Sequence, residues 1–84
     1  MPGAARQQAA RVFARLLAGE IRLYNEEAVV VGRLRGDLAE RLAGPVEQAR
    51  RRYLARYGDV DPSLSLLEAE IAGALGGKGS TLTH

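Results

Sequence analysis

The chain has 84 residues, with twelve Lys and Arg against ten Asp and Glu, no cysteine and one histidine. Lack of cysteine excludes disulfides, thiolate metal sites and cysteine nucleophiles together. A chain of this length makes one small domain that buries roughly 60% of its unfolded surface, so it depends on closely packed helices or on a partner subunit. Eleven of the twelve basic residues are arginine, the bias expected of a GC-rich genome. No apolar run approaches the ~20 residues of a membrane span, and a cytoplasmic protein is expected. Between Met1 and Gly19 the only charges are Arg6, Arg11 and Arg15. Mitochondrial transit peptides share that acid-poor composition, but this segment carries a core stripe that leads straight into the next helix.

Helical periodicity dominates from the start. Val12, Phe13, Leu16, Leu17, Ile21 and Tyr24 recur at spacings of three and four, beside Arg11, Arg15 and Arg22, and predict an amphipathic helix over 4–24. Asn25 reads as a break and a cap, its side chain accepting from the next helix's free amides, with Glu26 and Glu27 at that helix's positive end. Val31, Leu34, Leu38, Leu42, Val46, Ala49, Tyr53 and Tyr57 then keep one phase across Gly44-Pro45. That predicts one continuous helix over 26–57, about 48 Å long, with any bend near Gly44-Pro45, where the proline ring removes a hydrogen bond. Gly58 is the expected C-terminal cap. Asp61-Pro62 is the expected start of a short helix over 62–75 carrying Leu64, Leu67, Ile71 and Leu75. Gly76-Gly77 ends it. The domain is therefore expected to span 1–77, with 78–84 as a flexible tail.

Candidates for chemistry are few. The only histidine, His84, is the last residue, so histidine acid–base work and histidine metal ligation have no candidate. The Glu-x-x-His pairs that hold metals in helical bundles are missing, and Glu47 sits four residues before Arg51, the spacing of a surface ion pair. The run from Gly73 to Ser80 imitates a phosphate loop but has three residues, not four, between its glycines, and Gly79 rather than Ser or Thr follows Lys78. No catalytic, cofactor-binding or metal-ligating residue is assigned. No cofactor is expected, and the chain is not expected to be an enzyme.

Residues 37–57 offer a helix-turn-helix-like alternative. Ala39 is small, Gly44-Pro45 marks a turn, and Arg50, Arg51, Arg52 and Arg56 would line a DNA-reading helix. Against it, Gly44 stands where an apolar residue belongs, and Arg52 falls on a late core position. The arginines also suit a solvated helix end, where cations complement the dipole. A reoriented segment after Pro45 would favour the DNA reading; a continuous helix disfavours it.

The run from Phe13 to Arg33, the Asp-Leu-x-Glu-Arg-Leu block at 37–42 and the Ala-Arg-x-x-Tyr block at 49–53 resemble a bacterial helical module. That module trails zinc-ribbon or receiver-type domains in delta-proteobacterial and acidobacterial proteins, and closes with a short helix and a Gly-Gly step, as at Gly76-Gly77. The resemblance implies a helical architecture and a bacterial source, and no activity. Here the module is expected to stand without a leading domain.

The expected fold is thus all-α: a helical hairpin with one long second helix and a short third helix, assembled as a dimeric bundle. A first helix about 30 Å long folds back on only two-thirds of the second. The overhang, with Tyr53, Leu54 and Tyr57, joins Leu64, Leu67 and Ile71 as the expected interface. The expected function is a non-catalytic protein-interaction or oligomerisation module, an adaptor or scaffold. Its expected partner is itself, as a homodimer, or another protein. DNA binding through Arg50, Arg51, Arg52 and Arg56 is the alternative, and a membrane surface lying against the first helix ranks behind both.

Overall fold

The computed structural model describes residues 2–76; the tail expected over 78–84 lies outside them, as do Met1 and Gly77. Every regular element among the described residues is helical: α1 (Pro2–Tyr24), α2 (Glu26–Arg35), α3 (Leu38–Arg41), α4 (Ala43–Tyr57) and α5 (Ser65–Ile71), the last running on into a π turn, Ala72–Gly76. No helix among these residues is long and apolar enough to cross a membrane.

Three of these helices make the bundle. α1 packs most extensively against α5 and α4, and only marginally against α2. Its buried face is Ala10, Ala14, Leu17, Ala18 and Ile21; alanines at two of the most enclosed positions let neighbouring helices approach closely. α4 runs antiparallel to α1. Arg52 reaches Glu20 at 3.1 Å, and Arg6, near the other end of α1, donates to Asp59 and to the Arg56 carbonyl. α5 returns alongside both, with Glu70 beside Arg15 and Glu68 bonded to Arg50. Tyr53, Leu17, Leu42 and Leu67 are the largest fully buried side chains and mark the centre of the core.

The long second helix is not continuous. α2 ends at Gly36, whose φ of 76° is the left-handed cap conformation, and the Gly36 and Asp37 amides both bond the Gly32 carbonyl. An added methyl at Gly32 would stand 2.8 Å from the Leu38 Cα, so α3 folds back against α2 at a distance that only glycine permits. The chain reorients here, and the buried residues of α2 are Val29 and Gly32, while Leu34, expected in the core stripe, is 81% exposed. A second interruption falls at Leu42. Helical bonds still run from Leu42 to the Leu38 carbonyl and from Val46 to the Leu42 carbonyl, but Pro45 has no N–H to offer the Arg41 carbonyl, and its ring crowds that turn. This is the expected proline bend, placed one turn before the proline itself. The apolar phase survives it, which is why Leu42, Ala49, Tyr53 and Tyr57 are all buried.

Two caps also differ from expectation. Asn25 makes no side-chain bond to α2; its amide donates back to the Ile21 carbonyl at 2.8 Å, closing α1 instead. The last helix starts at Ser65 rather than Pro62, because Asp61–Leu64 forms a tight turn in which Leu64 takes a φ of 63°. Asp61 still caps it across that turn, as its carboxylate accepts from the Ser65 and Leu66 amides at 3.1 and 2.8 Å.

Candidate interaction surface

The residues expected to form an interface are mostly interior. Tyr53 and Leu67 are fully enclosed, Tyr57 and Ile71 are buried, and Leu64 is half-buried; only Leu54 remains exposed. The overhang that would have needed a partner does not exist, because α1 and α5 together cover α4 to its end. Phe13 stacks on Tyr53 with ring centres 6.5 Å apart and meets Tyr57 at 5.7 Å, and the Arg6 guanidinium lies 5.0 Å above the Tyr57 ring.

The polar centre of this region is Asp61, the one buried charged residue among those described. Its carboxylate accepts from the Tyr53 hydroxyl at 2.8 Å, from the Ser63 and Ser65 hydroxyls, and from the Ser65 and Leu66 amides. Burial alone pushes this carboxyl up, but the bonds from Leu66, Tyr53 and Ser65 together outweigh it and hold the carboxyl below its ordinary value. The Tyr53 phenol is pushed well above its ordinary value, first by burial and then by its bond to Asp61. Its partners come from α4, from the α4–α5 connection and from the start of α5, so it is a structural knot that ties the three together. Among the described residues no group of three His, Cys, Asp or Glu side chains gathers as a metal site.

All four candidate nucleic-acid contacts are engaged inside the molecule. Arg50 forks onto Glu68 at 2.7 and 3.3 Å, and that hydrogen bond raises its pKa. Arg51 pairs with Glu47, Arg52 with Glu20, and Arg56 lies 4.9 Å over the Phe13 ring. The reorientation found at Gly36 precedes residues 37–57 and adds no turn within them, and the helical bonds and apolar phase that continue across Leu42 still count against a helix-turn-helix. Three of the arginines are also paired with carboxylates of α1, α4 and α5, which partly offsets their charge, while Arg56 lies against the Phe13 and Tyr57 rings. Duplex DNA should therefore bind weakly, without sequence preference, and lose affinity steeply as salt rises through the physiological range, as counterion release requires. Fluorescence anisotropy with duplexes of differing sequence checks this; selective binding at physiological salt that Arg51→Ala abolishes would overturn it.

Val30 and Leu34 on α2 and Leu54 on α4 are exposed, but the longest row of open apolar side chains lies on the outer side of α1. Val12, Leu16 and Leu23 are 59%, 52% and 59% exposed, although each sits in the middle or latter half of a long helix. A second apolar patch, the groove between α3, α4 and α5, is lined by Leu38, Leu42, Val46, Ile71 and Leu75. Its floor is already buried by the bundle, so a visitor would gain little area there. Val12 and Leu16 stand apart from Leu17 and Ile21, although spacings of three and four join all of them with Phe13 into one apparent stripe. At 100° per residue they lie on different sides of the helix, and separating the two sets would have shown two apolar faces. Compared with protein-family models, curated proteins and solved structures, the chain matches none of them.

Proposed function

We propose that this chain is a non-catalytic protein-interaction module that offers the outer face of α1 to a partner. The observation that carries the reading is the two-faced character of α1: one apolar side is sealed in the bundle and the other stays in solvent. Large apolar side chains exposed in a row mark interaction sites in small proteins, whereas single ones do not. The bundle supplies the rigidity. Ion pairs tie α1 to α4 and α5 along its length, so a partner meets a preorganised helix and loses little ordering entropy in binding it.

A photoreactive amino acid placed at position 16 or 23 and activated in the host cell tests this. The expected outcome is a discrete protein adduct at both positions and none at position 51, with Leu23→Glu abolishing the position-16 adduct while helicity is unchanged. Adducts at none of these positions would overturn the proposal.

A further inference from the structure

Seen alone, the outer face of α1 has a stricter order than an apolar patch requires. Ala5, Ala9, Val12, Leu16, Gly19 and Leu23 follow one another at spacings of four, three, four, three and four, and all six are exposed. This is the seam of a two-stranded helical pair, with positions repeating every 3.5 residues. The flanks are defined by the bundle: α4 borders the edge carrying Arg6, Phe13 and Glu20, and α5 borders the edge carrying Arg15.

We infer that the partner seated on this seam is a second copy of the chain, paired antiparallel through α1; the inference rests on the interaction reading above. Antiparallel pairing sets Ala5 against the partner's Leu23, Ala9 against the partner's Gly19 and Val12 against the partner's Leu16. This is the register that engages the whole seam. Each leucine then faces a smaller residue, and the Ala–Gly layers let the two backbones approach; Gly19 has open space where a side chain would stand. A parallel pair would instead put glycine on glycine and leucine on leucine, a void beside a bulge. Charge agrees with the antiparallel choice. Glu20, paired with Arg52 in its own chain, comes opposite the partner's Arg6, paired with its own Asp59, so opposite charges add to existing pairs across the seam, and two-fold symmetry makes that contact twice. Arg15 alone meets its own kind across the axis, and Glu70 lies 3.7 Å from it to offset the repulsion. An anionic membrane fits the face less well. Alanine or glycine stands at three of the six seam positions, Ala5, Ala9 and Gly19, and offers lipid little to hold.

The chain contains no cysteine, so introduced ones report without interference. Ala5→Cys and Leu23→Cys are oxidised separately and as a mixture at low micromolar concentration, and the unmodified chain is run in sedimentation equilibrium. The expected results are a mass about twice 9.0 kDa and a mixed disulfide at least about tenfold in excess of either self-disulfide. In the antiparallel pair like positions stand about 27 Å apart along the axis, since eighteen residues rise 1.5 Å each. Self-disulfides at both positions would overturn the orientation. A chain that sediments at 9.0 kDa with full helicity overturns the second copy as occupant. So does a monomer that binds vesicles of anionic lipid, or a photo-adduct at position 16 joined only to a different protein. In the last case the interaction reading survives, which separates the two failures.

Discussion

Replacing Asp61 by alanine should destabilise the protein by about 3 kcal/mol, combining the loss of a helix cap with the stranding of buried donors. The Tyr53 hydroxyl has no other partner within the core, and the Ser65 and Leu66 amides at the start of α5 lose their acceptor in the same step. For a domain of this size that is a fall in Tm of roughly 12–24 °C. Asp61→Asn should cost about half as much, since one oxygen still accepts. Tyr53→Phe should cost about 1 kcal/mol, as the carboxylate keeps its other bonds. Thermal unfolding of the three variants by circular dichroism checks the order; an Asp61→Ala variant as stable as the parent would remove Asp61 from the account of the fold.

The same knot sets the pH dependence. Asp61 titrates lower in the folded chain than in the unfolded one, so its contribution is fully present above the unfolded value near 3.9. It is lost as pH falls through the folded value. Tyr53 is raised, so its contribution is full below about pH 10 and declines above it. Stability should form a plateau between these limits, and Asp61→Asn should flatten the acid side and also reduce the alkaline dependence, since the carboxylate helps to raise Tyr53.

How much of this was readable beforehand differs by residue. Helix content follows from period, which places Tyr53 and Tyr57 on one apolar stripe and Leu67 and Ile71 on that of the last helix. Their burial was misassigned because a sequence does not say which helix covers which. The chain reverses at Gly36, a position whose φ of 76° is invisible until the fold is known, and that reversal delivers α4 to the full length of α1. Asp61 was legible as a cap from its place before proline, but its burial was not, since the donor that holds it inside, Tyr53, is eight residues upstream. The outer seam of α1 was legible in principle. Its spacing is present in the sequence, and only the assumption of a single apolar face concealed it.

That difference between covered and open residues leads to the second large effect. Tyr53→Ala should unfold much of the population, because it empties a fully enclosed site between Phe13 and Tyr57 and removes a bond to Asp61. Deleting a buried aromatic costs about 3–5 kcal/mol, a large fraction of the roughly 4–12 kcal/mol available to a chain of this length. Leu54, its neighbour on α4, is 42% exposed, and Leu54→Ala should cost below about 1 kcal/mol. Were Tyr53 an interface residue, as its place in the sequence first implied, its variant would keep its helicity when concentrated and lose it on dilution. As a core residue it loses helicity at every concentration, while Leu16→Glu on the outer face of α1 keeps helicity and loses only the partner. Helicity measured over a dilution series for Tyr53→Ala, Leu54→Ala and Leu16→Glu separates these cases. A folded, dilution-sensitive Tyr53→Ala would return the interface to α4.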